Sequence, residues 1–136
     1  MTAARRRASL LGLTAIVGGS GVLHLVIPAP YRRLVPAPLA QWRSELVALS
    51  GVAEIGCATL LLTRRTRRLG ALATAALLVA VFPANVQMAI DGGYPGAPFP
   101  ANNAVAAWLR LPLQVPLVLW ALSLRREDRD ATAAHT

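Results

Sequence analysis

The sequence predicts an all-α fold: a membrane-embedded four-helix transmembrane bundle with both termini cytoplasmic. Three observations carry this. Of the 136 residues, 55% are hydrophobic and only 15% charged, against roughly a quarter charged in an average soluble domain, and mean hydropathy is +0.50. Four apolar runs, residues 8–27, 46–63, 69–90 and 104–124, each reach the roughly 17–25 residues that a bilayer crossing requires. Finally, the basic side of the composition is 14 arginines and no lysine, and all but Arg110 lie outside the runs.

The runs lack the polar alternation of barrel strands, so their backbone groups must pair within each segment, as helices. They occupy most of the chain, and at this length a single domain over 1–136 is expected. The first run follows Arg5, Arg6 and Arg7. Its length of about 20 residues exceeds the roughly 7–15 of a signal-peptide core, so it reads as a retained helix. The connection that follows interleaves Pro28, Pro30, Pro36 and Pro38 with Tyr31, Leu34, Val35, Leu39 and Trp42. Such a segment is expected to lie along the membrane interface. Residues 64–68 form a short hairpin that makes the second and third helices antiparallel neighbours. The third connection opens on Asp91-Gly92-Gly93-Tyr94, which is turn chemistry, extended by Pro98 and Pro100. The last helix begins at Ala104, and 125–136 is expected to be a tail.

Arginine counting sets the expected orientation. Ten arginines (Arg5, Arg6, Arg7, Arg64, Arg65, Arg67, Arg68, Arg125, Arg126 and Arg129) fall on one side, and Arg32, Arg33 and Arg43 on the other. The same placement explains the net charge of +8 as a topology signal and argues against nucleic acid as a partner. Contact with anionic lipid follows from it. Cys57 is the single cysteine, which excludes an internal disulfide and a redox CxxC pair. Two histidines and one cysteine argue against a protein-built metal site. The glycines Gly18, Gly19, Gly21, Gly51 and Gly56 read as close helix contacts, since no phosphate-loop pattern is present.

The candidate site lies in the polar residues of the spans: His24, Ser50, Glu54, Asn85, Gln87, Arg110 and Gln114. At about 1.5 Å per residue all fall in the half of the bilayer away from the termini. Ser20/His24, Ser50/Glu54 and Arg110/Gln114 are each spaced i, i+4 and so mark one stripe of a helix. An ionised Glu or Arg at mid-membrane costs about 2.5–3.5 kcal/mol and must face the interior or water. Pairing Glu54 with Arg110, with His24, Asn85 and Gln114 adding hydrogen bonds, is the cheapest arrangement. Blander roles are open to several of these groups. Asn85 and Gln114 suit helix–helix contacts, Ser20 and Ser50 their own helix backbone, His24 a cap, and Cys57 simple packing. Pro83, Pro112 and Pro116 free carbonyls four residues earlier, including those of Val79 and Trp108, as a binding cavity would use.

These residues fall in four stretches. They are His24-Leu25-x-x-Pro28-x-x-Tyr31 with Val35-Pro36, Ser50-Gly51-x-x-Glu54-Ile55, Val81-Phe82-Pro83-Ala84-Asn85-x-x-Met88-Ala89, and Arg110-Leu111-Pro112-x-Gln114 with Trp120-Ala121. Their order and spacing over residues 20–121 resemble the DoxX-like family of small bacterial membrane proteins. The resemblance implies a four-helix, multi-pass protein of the bacterial cytoplasmic membrane. It also implies a link to redox or sulfur metabolism, through a redox-enzyme or sulfurtransferase partner.

No haem-ligand pair, flavin motif or cysteine pair is present, so redox chemistry would come from a partner or a bound quinone, with no intrinsic cofactor. Two functions compete. One is a non-catalytic membrane subunit or binding module holding a lipophilic ligand, such as a quinone, in the outer polar cluster. The alternative is a membrane enzyme using Glu54 and His24 as acid and base on a lipid-soluble substrate, although no nucleophile–base–orienter set is present. A transport pathway would need a homo-oligomer.

Overall fold

The computed structural model describes residues 2–94, 96, 99 and 102–133, with side chains described as far as Arg125. Pro98 and Pro100, expected to extend the third connection, lie outside the described residues, as do the side chains of Arg126 and Arg129. The described chain is helical throughout: α1 (Ala3–Val26), α2 (Pro28–Arg32), a 3-10 turn (Ala37–Trp42), α3 (Arg43–Leu62), α4 (Arg67–Ala80), α5 (Phe82–Ile90) and α6 (Ala104–Ala133). Four segments, Ala3–Val26, Ala37–Leu62, Arg67–Ile90 and Ala104–Arg125, are long and apolar enough to cross a membrane. This is a multi-pass membrane architecture.

Helix ends are set by local chemistry. The Thr2 hydroxyl accepts from the Arg5 amide at 3.3 Å and starts α1. Asn103 Oδ1 accepts from the amides of Val105 (2.8 Å) and Ala106 (3.2 Å) and starts α6; each supplies an acceptor to otherwise orphaned donors. At the end of α3, Thr66 donates its hydroxyl to the Leu60 carbonyl at 3.0 Å, and Arg67 Nε donates to that of Leu61 at 2.9 Å. A cation there also suits the negative end of the helix dipole. Helix α5 closes through bonds from Gly92 N to Ala89 O (3.2 Å) and Gly93 N to Met88 O (2.9 Å). That closure needs the left-handed backbone of Gly92, φ +78°.

Two expected boundaries change. The third span is broken at Val81, between α4 and α5, and Pro83 falls in the first turn of α5, where a missing amide costs little. The expected tail is helical as far as Ala133, because the apolar run marks the hydrocarbon stretch and not the end of helical backbone. Pro112 and Pro116 both lie within continuous α6.

The helices pack in the order α1–α3–α4–α6, with α5 against α6 and a small contact closing α6 onto α1. That closure lies at the arginine-rich end, where Trp120 Nε1 donates to Ser9 Oγ at 2.8 Å. A core of Leu10, Leu13, Val17, Cys57, Leu61, Ala71, Ala75, Ala121 and Leu124 joins all four spans there. At the opposite end a smaller core of Leu34, Met88, Ala89 and Ala107 belongs to α5, α6 and the segment after α2. The first connection therefore does more than lie at an interface: Leu34 and Val35 are buried within the protein. Large aliphatic side chains such as Leu11, Ile16, Leu49, Val79, Leu109 and Leu119 face outward, a surface suited to acyl chains.

Glycine contacts set the α1–α3 distance. A Cβ at Gly21 would lie 2.7 Å from the Gly51 carbonyl oxygen, and one at Gly51 would lie 2.9 Å from that of Gly21. Gly18 faces Ala58, whereas Gly19 and Gly56 have nothing within 4 Å and are not helix contacts. Gly21→Val is expected to push α1 from α3 and destabilise the detergent-solubilised protein by about 1–3 kcal/mol, read as a lower melting temperature. Gly19→Ala is expected to leave it unchanged.

Candidate functional site

The Gly21–Gly51 contact brings α1 and α3 close enough for their polar stripes to meet. A Cβ at Gly51 would also lie 3.0 Å from His24 Cβ, and one at Gly21 would lie 2.9 Å from Glu54 Cβ. His24 and Glu54 consequently face each other, with His24 Nδ1 3.2 Å from Glu54 Oε2. The same nitrogen lies 2.8 Å from the Ser20 carbonyl oxygen. A carbonyl can only accept, so Nδ1 carries the proton and Nε2 is the variable position of the ring. With the Nδ1 proton directed at Ser20, Glu54 Oε2 is buried without a well-directed hydrogen bond. The contact is thus chiefly electrostatic.

Two aromatic rings extend this pair. Tyr31 of α2 stacks on His24 with centroids 3.9 Å apart and planes inclined by 26°. Tyr94 meets Tyr31 edge-on at 6.2 Å and 80°, a favourable arrangement of ring quadrupoles. Tyr94 in turn lies close enough to Arg110 to feel its charge, and Arg110 Nη1 donates to Met88 Sδ at 3.6 Å. Burial pushes the Tyr31 hydroxyl above the ordinary phenol range, with the Glu54 charge acting in the same direction and Arg110 against it. Burial does the same for Tyr94, again opposed by Arg110. Both phenols are therefore held in the protonated, donating form at neutral pH.

The expected Glu54–Arg110 pair is not formed. Among the described residues, the ion-pair partner of Glu54 is His24, and Arg110 has only Met88 and Tyr94. The reason is helix order: α3 packs on α1 and α4, while α6 packs on α4 and α5, so the Tyr31 and Tyr94 rings lie between the two charges. The seven candidate residues accordingly separate into groups. His24, Glu54 and Arg110 belong to one chain of contacts through the tyrosines.

Asn85 and Gln114 form a second group. Asn85 Nδ2 donates to Gln114 Oε1 at 3.2 Å, and Gln114 Nε2 donates to the Leu78 carbonyl. That carbonyl sits at the α4–α5 break, one residue before the Val79 carbonyl that the proline rule singles out. Gln114 closes the break internally instead of leaving it to a ligand. Gln87 bonds Asp91 at 3.0 Å near the end of its own helix and joins neither group. Ser50 Oγ is buried without a partner and does not bond its own backbone as expected. Sequence reading placed Tyr31 at the interface and Tyr94 in a turn without assigning either to the site. Tyr31's spacing one helical turn and three residues beyond His24, across a proline-started helix, was the available signal.

Gln114→Leu is expected to strand both Asn85 and the Leu78 carbonyl, costing about 1–3 kcal/mol of stability in thermal unfolding. Gln87→Ala, a half-buried end-of-helix change that breaks only an exposed contact with Asp91, is expected to stay within about 0.5 kcal/mol of the parent.

Comparison with known proteins adds one positive finding. Neither the curated proteins nor the solved structures give a match. A family described as a domain of unknown function (DUF8561) matches residues 13–125, a stretch that runs from the first span to the end of the fourth. The chain belongs to this DUF8561 family.

Proposed function

We propose that the chain is a non-catalytic membrane subunit or binding module. It holds the polar head of a lipophilic ligand, such as a quinone, at the end of the bundle where His24, Glu54, Tyr31, Tyr94 and Arg110 converge. The observation that carries this reading is the stacked His24–Tyr31 pair over a buried carboxylate. Packing alone offers no return for burying an ionisable pair, since neutral side chains would fill the space at lower cost. The ring faces suit a flat head group, and the tyrosine hydroxyls and Arg110 supply donors to its carbonyls. Asn85 and Gln114 support the site by closing the helix break beneath it.

The arginine distribution supports placing both termini in the cytoplasm, so that this end faces the far side of a bacterial cytoplasmic membrane. The likeness to DoxX-like proteins supports a link to redox or sulfur metabolism, with the electrons supplied by a redox-enzyme or sulfurtransferase partner. A second reading is favoured by the 3.2 Å His24–Glu54 contact. Such a pair, with Nε2 of the ring free to exchange a proton, suits acid–base work on a lipid-soluble substrate.

Addition of a short-chain quinone to the purified protein is expected to raise its melting temperature, and Tyr31→Ala to abolish that shift. An unchanged melting temperature with wild-type protein, together with no extractable lipophile, counts against the binding reading. Glu54→Gln separates the two functions: binding retained with the shift unchanged favours the passive module. Loss of an associated turnover with binding intact favours the acid–base reading.

A further inference from the structure

Among the described residues, Arg110 is a charge without a counter-charge. It is the seventh residue of α6, about 9 Å below the start of that helix at 1.5 Å per residue. Its partners, a thioether and a phenol, are both neutral. The carboxylate of Glu54 is turned to His24, and that of Asp91 accepts from Gln87. Met88 is buried and fixes one edge of the guanidinium, while Arg110 as a residue is exposed. The remaining donors of the fork are thus presented to whatever lies beside the helix.

The surface around it has the shape of an amphiphile. One turn toward the helix start stands the small side chain of Ala106. One turn the other way on the same face, Leu113 is 57% exposed, and Leu109 beside it is 59% exposed. A planar fork with parallel N–H donors matches phosphate oxygens in a way that a point charge does not. The Tyr94 hydroxyl, near the same guanidinium, adds a further polar group at this level.

We infer that Arg110, with Tyr94, is the head-group site for a phospholipid of net negative charge, whose acyl chain runs along Leu113. This rests on the reading of this end of the bundle as a lipophile site and names the charge its mouth selects. The lipid supplies the anion that Arg110 does not find among the described residues, and its chain covers the exposed leucines of α6.

Native mass spectrometry of the full chain in detergent, with equimolar phosphatidylglycerol and phosphatidylcholine, tests this. Wild-type protein is expected to retain phosphatidylglycerol about tenfold over phosphatidylcholine, and Arg110→Gln to lower the ratio to about twofold, the remainder being contact with the arginine clusters at the other end. Arg110→Lys keeps the charge and serves if the glutamine variant does not fold; it is expected to retain about threefold or less. Arg65→Gln, at the other end of the bundle, is expected to leave the ratio nearly unchanged. A wild-type ratio near one, an Arg65→Gln effect equal to that of Arg110→Gln, or undiminished preference in Arg110→Lys would overturn the inference. Displacement of the lipid by millimolar inorganic phosphate would do so too, by identifying a free-anion site. Wild-type protein that shows no lipid preference but keeps the quinone shift removes this inference alone. Loss of both removes the underlying reading of the site.

Discussion

The contact between Gly21 and Gly51 is the constraint on which the rest depends. With no side chain on either residue, each helix backbone approaches the other to a distance that a methyl group would forbid. That proximity brings His24 over α3 and Glu54 over α1, and so converts two isolated polar stripes into one electrostatic contact. In hydrocarbon there is no water to satisfy either group, so proximity decides whether they are tolerable at all. The position of Tyr31 follows from the same contact, because α2 begins directly after α1 and its ring lies flat on the imidazole.

The two ends of the bundle are built on different principles. At the arginine-rich end a continuous apolar core draws on all four spans, and the Trp120–Ser9 bond ties the last helix to the first. At the opposite end α1 and α3 form one pair and α5 and α6 another, each with its own packing. Tyr31 of α2, set edge-on to Tyr94 after α5, and Leu34 just after α2 bridge them. Polar and ionisable groups collect where the apolar core is smaller, which is the arrangement a binding site requires: rigidity at one end and chemically varied surface at the other.

The α4–α5 break shows how a proline is accommodated in a spanning segment. Pro83 enters the first turn of a new helix, and the interruption is repaired by an amide from α6 that bonds the Leu78 carbonyl and is itself held by Asn85. Three residues that look in sequence like parts of a ligand site are thereby engaged in making the third span continuous in hydrogen bonding. The polar groups left to the candidate site are those of the tyrosines and Arg110, whose aromatic and cationic groups do not depend on backbone partners.

The sequence by itself determined the number of apolar spans and their approximate limits, together with the turn glycines after the third. Hydrophobic run length and local capping are properties of neighbouring residues. It also placed His24, Glu54 and Arg110 at one level, since depth follows from counting residues along a helix. Which of them meet was decided only by tertiary structure, because contact depends on helix order and rotation, and these arise from packing between distant segments. The pairing of Glu54 with His24 instead of Arg110 follows from α1 being the glycine-matched neighbour of α3. The two tyrosines entered the site for the same reason: the 16 residues between α1 and α3, and the turn after α5, fold back over the bundle, and no local pattern records where they land.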